Sequence, residues 1–100
     1  MTAWIGRARL TIYLEGANSL KDKRSEVKRV VHRLQNRFNA AVAEIEDLDD
    51  IGVATIGIVV LSTSATHADQ MLATILKAAE ELLDLGVPGE IDTELLPFDS

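Results

Sequence analysis

The chain has 100 residues, of which 47% are hydrophobic, and this length predicts a single domain over residues 1–100. Its formal net charge of −6 at pH 7 argues against indiscriminate coating of nucleic acid. It contains no cysteine and only two widely separated histidines, so the sequence implies no disulfide, no thiolate nucleophile, no metal site and no cofactor. No apolar run approaches the roughly 18 to 20 residues of a membrane span, and no signal-peptide pattern is present, which predicts a soluble cytoplasmic protein without a membrane partner.

The first half of the chain has the patterns of a strand, a helix and a second strand. Apolar and polar residues alternate from Trp4 to Leu14, as in a half-buried strand. Residues 16–18 favour a turn, and Ser19 with Asp22 resembles a capping box that opens a helix. Residues 41–46 are predicted to form the second strand. The apolar stripe of the intervening helix consists of Val27, Val30, Val31, Leu34 and Phe38.

The second half repeats this order with a longer central strand. The acidic residues 47–50 favour a turn, and Ile51 to Leu61 is apolar on both faces, which indicates a strand in the middle of a sheet. Residues 62–64 precede a second helix, which the breakers Gly86, Pro88 and Gly89 terminate. Residues 91–96 alternate again as a last strand. The apolar residues of the second helix are Met71, Leu72, Ile75, Leu76, Ala79, Leu82 and Leu83.

This order of elements predicts an α+β fold, the ferredoxin-like βαββαβ sandwich. Right-handed crossovers place both helices on one face of a four-stranded antiparallel sheet of order 4-1-3-2. The second and fourth strands are then edges, whose acids suit the protection that edge strands carry. The other face stays open and displays Arg7, Arg9, Thr11 and Tyr13 beside apolar residues of the third strand. Such a mixed surface could dock a ligand or form a homodimer.

The charges are strongly segregated along the chain. Residues 1–40 carry a net charge of +6, whereas the remaining sixty residues carry −12. Three cations occupy the first turn of the first helix, where the helix dipole favours acids. Arg29, Arg33 and Arg37 follow at intervals of four, an arrangement that costs about 0.2 to 0.5 kcal/mol per like-charged pair. Seven of the ten Lys and Arg residues lie in this segment, namely Lys21, Lys23, Arg24, Lys28, Arg29, Arg33 and Arg37.

Two interpretations of this basic helix remain open from the residues alone. An external anion could be bound by the free N–H groups at the helix start together with the nearby cations. Alternatively, the charges could be neutralised within the chain, by acids on the strands or by Glu80, Glu81 and Asp84 of the second helix.

Residues 14–24, LEGANSLKDKR, followed by NRFN at 36–39 and VAE at 42–44, resemble the YlxP-like family of small bacterial proteins of unknown function. The resemblance extends over nearly the whole chain, and SLKDKR at 19–24 is its most specific part. It implies a ferredoxin-like fold. Genes of this family often lie beside genes for translation initiation and ribosome maturation proteins, which implies a ribosomal context.

We therefore expect a non-catalytic binding protein whose basic helix contacts RNA phosphates, with a ribosomal particle as the expected partner. The seven cations of the basic helix are the predicted site residues, and Arg7 and Arg9 are additional candidates. A base-stacking RNA-recognition motif is not expected, because Trp4 and Tyr13 are the only aromatic residues of the central strands. In addition, the alternation along the first strand places Trp4 on the same face as the core residues.

Two other classes of function remain open from the sequence. An ACT-like regulatory domain, which senses a small molecule or dimerises, would place a ligand at the turn around Gly16 and Asn18, although both residues are also explained by the turn itself. An enzyme is the weakest alternative. Ser64, His67 and Asp69 include a nucleophile and a base, but all three fall at one helix start, where Ser64 is better explained as a cap. No catalytic residue is predicted.

Overall fold

The predicted order of strands and helices is the order that the structure has. A computed structural model of the chain describes residues 2–99. The sheet has the order β2-β3-β1-β4, with antiparallel neighbours throughout, which is the predicted ferredoxin-like topology. The elements are β1 (Trp4–Tyr13), α1 (Leu20–Arg37), β2 (Ala41–Glu46), β3 (Val53–Ser62), α2 (Ala65–Leu82) and β4 (Val87–Pro97).

The core lies between one face of the sheet and the two helices. Residues of β1 face residues of β3 across the sheet centre, with Leu10 opposite Ile56 and Ala8 opposite Ile58. All four side chains are buried against the helices. Each fully buried Leu or Ile contributes about 1.5 to 3 kcal/mol relative to an exposed one. Trp4 is half-buried and packs against this core, as its parity predicts.

Both helices begin at the predicted serine caps. Ser19 Oγ accepts a hydrogen bond from the Asp22 N–H at 3.1 Å, and Asp22 Oδ2 accepts one from the Asn18 N–H at 3.0 Å. Ser64 Oγ accepts from the His67 N–H at 3.2 Å. These caps satisfy N–H groups that the helices leave free and thereby fix where each helix starts. Over residues 2–99, neither helix is long and apolar enough to cross a membrane.

The last strand begins at Val87, four residues before the predicted start at Ile91, so Pro88 and Gly89 lie inside β4. An edge strand tolerates proline because only one of its sides bonds to a neighbour. The register also shifts here, between Leu10 and Ile12 of β1. Gly89 fits because its backbone lies against the Tyr13 ring, where an added Cβ would be 2.5 Å from Cε2.

The acidic segment forms the predicted turn and delays the start of the next strand. Asp47 has a φ of 63°, in the left-handed region that aspartate tolerates better than most residues. The Gly52 N–H donates to Asp50 Oδ1 at 2.8 Å, and β3 begins only at Val53 rather than at Ile51. The Leu14 N–H donates to the Gly52 carbonyl at 2.9 Å.

Candidate nucleic-acid interface

Lys23 belongs to the core and not to the predicted anion site. Its side chain is 0% exposed, because position 23 lies on the same helical side as Val27 and Val30. Lys23 Nζ donates to the Asp47 carbonyl and lies 3.2 Å from Glu44 Oε2. That carboxylate oxygen is buried and lacks a hydrogen bond of good geometry, so its attraction to the ammonium is mainly Coulombic. The strand acid Glu44 therefore neutralises Lys23 within the chain, and Lys23 is not available to an external phosphate.

Arg29 is held by Glu26, a residue that sequence reasoning did not single out. Glu26 is 4% exposed, and its Oε2 accepts hydrogen bonds from three backbone N–H groups after α2, those of residues 84, 85 and 86, at 2.7, 2.8 and 3.0 Å. Its Oε1 accepts from Arg29 Nη2 at 2.6 Å. Burial alone would raise the pKa of Glu26, but these N–H donors and Arg29 lower it on balance. The only sequence signal for this role is an acid on the apolar side of α1.

Arg24 stays exposed although it has an acidic neighbour. Its Nη2 lies 3.5 Å from Asp49 Oδ1, and the two side chains are 62% and 90% exposed. An ion pair of this kind in water contributes at most about 1 kcal/mol. The Asp49 contact therefore leaves Arg24 able to exchange its partner for an external anion.

Four of the predicted site residues are exposed cations without an acidic partner: Lys21, Lys28, Arg33 and Arg37. Over the part of the chain that the structure describes, none of them makes an ion pair within 4.0 Å. Glu80 and Glu81 of α2, and Asp84 just after it, likewise form no ion pair among residues 2–99. Internal neutralisation thus accounts for Lys23 and Arg29 but not for these four.

The cations of α1 other than Lys23 form two rows on opposite sides of the helix. Arg24 and Lys28 border a groove against residues 42–44 of β2. The spacing of three and four residues places Lys21 on the same side, and we call these three residues the β2-side row. Arg29, Arg33 and Arg37 share the side of Glu26, which contacts the segment after α2, and form the α2-side row. Between the rows lie the exposed polar residues Ser25, His32 and Asn36.

The groove beside the β2-side row has a volume of about 460 Å³. Arg24, Lys28 and His32 line it together with the apolar side chains of Val27 and Val31. Gln35 Nε2 closes part of its strand side by donating to the Val42 carbonyl at 2.9 Å. This bond occupies one edge carbonyl of β2. The groove thus combines cations, apolar surface and the partly buried acid Glu44 of β2.

The additional candidates Arg7 and Arg9 lie on the open face of the sheet, opposite to the helices. Arg7 Nη2 pairs with Glu94 Oε1 at 2.7 Å, and Arg9 pairs with Glu46. The fold therefore does not bring these two arginines together with the cations of α1.

The turn between β1 and α1 packs against the segment that follows α2. The Gly16 N–H donates to the Leu85 carbonyl at 3.0 Å, and a Cβ on Gly16 would lie 3.1 Å from that oxygen. The Asn18 N–H is bonded to Asp22. Both backbone donors at the turn considered for an ACT-like ligand are thus used within the chain.

His67 makes a contact that residue spacing did not indicate. Ser62 Oγ lies 3.0 Å from His67 Nδ1 and also accepts from the Ser64 N–H at 3.1 Å. His67, Phe38 and Met71 border a depression of about 300 Å³ between the two helices. Ser62 thus orients the histidine ring, while Ser64 acts as the predicted helix cap.

The fold and this surface define the class of the protein, a ferredoxin-like domain with a cationic first helix. The sequence matches a family over residues 5–87, and the chain belongs to this family, which is described as "Protein of unknown function (DUF503)". The uncharacterized protein YlxP of Bacillus subtilis (strain 168) is 35% identical over 72 residues, which cover 72% of this chain and 78% of YlxP. The predicted resemblance to YlxP-like proteins is confirmed.

Two solved structures have a similar fold. A de novo designed protein with ferredoxin fold superposes with a TM-score of 0.54 at 18% identity, covering 94% of this chain and 84% of the design. A C-terminal segment of the alpha subunit of aIF2 from Pyrococcus abyssi gives a TM-score of 0.51 at 14% identity, covering 95% of this chain and 50% of that one. At these identities the likeness concerns the fold alone.

Proposed function

We propose that the protein is a non-catalytic RNA-binding protein, in which the outward side of α1 contacts phosphates of structured RNA on a ribosomal particle. The observation that carries the proposal is a set of four exposed cations on one helix, Lys21, Lys28, Arg33 and Arg37, without an ion pair inside the described residues of a net acidic chain.

The energetics of α1 support an external anion. Arg29, Arg33 and Arg37 repel one another at about 0.2 to 0.5 kcal/mol per pair. Of the three, only Arg29 has an acid within 4.0 Å among residues 2–99. Lys21 adds an unfavourable charge to the first turn, where the N–H groups already give a partial positive charge. A row of phosphates would remove both penalties, because each phosphate is attracted to the cations and to the helix start.

The arrangement of the two rows favours structured RNA over a single strand. An RNA groove is bordered by two rows of phosphates, and a helix lying along it presents one cationic row to each. The polar residues between the rows, Ser25, His32 and Asn36, would then face sugar hydroxyls and base edges. Phosphate and sugar contacts carry little sequence information. We therefore expect recognition of RNA shape with little dependence on base sequence.

The test uses fluorescence anisotropy of a labelled RNA hairpin with three single substitutions. Lys28→Ala removes a cation from the β2-side row, and Arg33→Ala removes one from the α2-side row. Each substitution should weaken binding. Each should also reduce the slope of log binding constant against log salt concentration by about 0.7 to 0.9, the value for one lost phosphate contact. Lys77→Ala is the matched control, since Lys77 is an exposed lysine on α2 outside both rows. It should bind as the unaltered protein does.

The ribosomal part of the proposal is tested by sedimentation of the tagged protein in cell extract at low and moderate salt. The protein should travel with a ribosomal particle and leave it as salt rises, whereas the Lys28→Ala/Arg33→Ala variant should stay at the top of the gradient. Lys23 is left unchanged in these RNA-binding variants, because it is part of the core. The proposal fails if the double variant binds the hairpin as tightly as the Lys77→Ala control.

A further inference from the structure

The open face of the sheet carries a cluster of exposed apolar side chains. Leu61 and Val59 of β3 are 57% and 44% exposed, and Ile45 of β2 is 45% exposed. Leu61 lies opposite Ile5 of β1, which in turn lies opposite Leu96 of β4, so these residues form a continuous strip across the sheet. An apolar patch of this kind on an otherwise charged domain marks an interaction surface.

We propose that this face binds a second copy of the same chain and forms a two-fold symmetric dimer. The shape of the face supports a two-fold contact. A shallow depression of about 300 Å³ lies over β1, β2 and β3, where Ala41, Ala43 and Gly57 have little or no side chain. Ile45 forms one wall, and the two arginines of β1 line the depression as well. Val59 also borders this depression, and Leu61 stands next to it on the same side of β3.

A surface that has a ridge beside a depression can fit against a second, identical surface. In a two-fold contact the same patch meets itself, so the ridge of each copy enters the depression of the other. This pairing places the two-fold axis near Val59, between Leu61 on one side and Gly57 on the other. The side chain of Ile45 already covers Gly57, where an added Cβ would lie 3.0 Å from Ile45 Cγ2, so an incoming side chain packs against Ile45 itself.

The charges on the face are compatible with this contact. Both arginines of β1 on this face are ion-paired within their own chain, so they bring no unpaired cation to the contact. Asp92 of β4 lies level with Gly57, and Leu96 lies level with Leu61, because each of these pairs is joined through one residue of β1. An axis that sets Leu61 against Gly57 of the other copy therefore sets Asp92 against the level of Leu96, which keeps the Asp92 side chains of the two copies apart.

The size of the face is sufficient for a dimer. Four strands spaced about 4.8 Å apart, with a rise of about 3.3 Å for each of roughly ten residues, give a plan area on the order of 600 Å² per copy. Specific protein interfaces bury about 600 to 1,000 Å² per partner. The face therefore meets the lower end of this range. Because α1 covers the other face of the sheet, dimerisation and RNA binding use separate surfaces and can fail independently.

The first test is sedimentation equilibrium at micromolar concentrations. The unaltered protein should be a dimer, and Leu61→Asp should shift it to monomer, because burial of an unpaired carboxylate is unfavourable. Leu48→Asp is a matched control, since Leu48 is also 57% exposed but lies in the turn between β2 and β3. It should remain a dimer. A monomeric unaltered protein, or a dimeric Leu61→Asp variant, would overturn the proposal.

The second test uses the absence of cysteine from the chain. Val59→Cys places one thiol near the proposed axis, where the two thiols of a dimer can form a disulfide between copies. Leu48→Cys places the thiol outside the face. Under mild oxidation, Val59→Cys should give a covalent dimer much faster than Leu48→Cys. Equal rates would overturn the proposed contact between copies.

Discussion

Lys23 and Glu26 lie on the buried side of α1, and their charges are stabilised by different parts of the chain. Lys23 contacts Glu44 and the Asp47 carbonyl, whereas Glu26 accepts three N–H groups that follow α2. Together these two residues tie α1 to the β2 edge and to the start of β4. A helix that looks uniformly basic in the sequence is therefore positioned by two buried charges of opposite sign.

Glu26→Gln should destabilise the protein by about 1.5 to 3 kcal/mol, because a neutral amide accepts fewer and weaker hydrogen bonds from the three N–H groups. Urea unfolding measures the free energy of unfolding. Glu81→Gln, an exposed change on α2, should leave it nearly unchanged. Equal effects of the two substitutions would mean that the Glu26 network contributes nothing.

The same network should make stability depend on pH. The folded state lowers the pKa of Glu26 below its ordinary value of 4.5, so the unfolded chain takes up a proton first as the pH falls. The stabilisation is complete above the ordinary pKa and is lost as the pH falls through the lower folded pKa. Urea unfolding at several acidic pH values should show a steeper loss of stability for the unaltered protein than for Glu26→Gln. Parallel curves would contradict this assignment.

Lys23→Met should destabilise the protein by about 3 to 5 kcal/mol, because it leaves the carboxylate of Glu44 without its cation in a mostly buried position. Lys23→Met combined with Glu44→Leu should recover much of the loss, since the uncompensated charge is then absent. Thermal unfolding of the two variants checks both statements. If the double variant is no more stable than the single one, the Lys23–Glu44 pair is not what the lysine stabilises.

At the scale of elements, the short connection from α2 to β4 holds the sheet and both helices together. Its backbone contacts Glu26 of α1, and Gly16 of the turn before α1 bonds to Leu85 within it. Gly86 is buried against Ile12 of β1, where no side chain fits. The connection thus aligns α1, and with it both rows of cations.

Gly86→Ala tests this packing. The added Cβ would lie 2.6 Å from Ile12 Cγ2, and such overpacking costs about 1 to 3 kcal/mol. Gly52→Ala is the control, because its Cβ would meet only Asp50 Oδ1 at 3.5 Å. Urea unfolding should show a clear loss for the first variant and a change within about 0.5 kcal/mol for the second. The opposite order would show that the connection can relax around a methyl group.

At the scale of the whole molecule, the sheet separates the two proposed surfaces. The cations of α1 lie on the helix side, and the apolar strip around Leu61 lies on the open side. In the proposed dimer the two sheets face each other, and the two α1 helices lie on the outer surfaces. Such a particle would present the proposed phosphate-binding surface twice, and the two copies could act together on one large RNA.

This separation predicts that the surfaces act independently within one copy. Leu61→Asp should bind a short RNA hairpin, which occupies one copy only, within about a factor of two of the unaltered protein, because distant substitutions are nearly additive. Fluorescence anisotropy of the hairpin measures this. A large loss of hairpin affinity would mean that the RNA site is built across the dimer.

The fold and the location of the basic surface could be predicted from the sequence because both depend on local patterns. The elements and their order are specified by the alternation in the first strand, by the serine caps at Ser19 and Ser64, and by the apolar stripes of the helices. The prediction that Pro88 and Gly89 precede the last strand is wrong, because both residues lie inside β4. Only the edge position of β4 and the neighbouring Tyr13 ring make them compatible with a strand.

The βαββαβ order, the family and the concentration of cations on one helix can all be inferred from the sequence, because periodicity and residue type are properties of neighbouring residues. Which of these cations lack an acidic partner depends on tertiary contacts. Glu44 neutralises Lys23 from a different strand, and the backbone of residues 84–86 joins Arg29 around Glu26. These partners are distant in sequence, and a charge is buried or exposed according to what the fold places beside it.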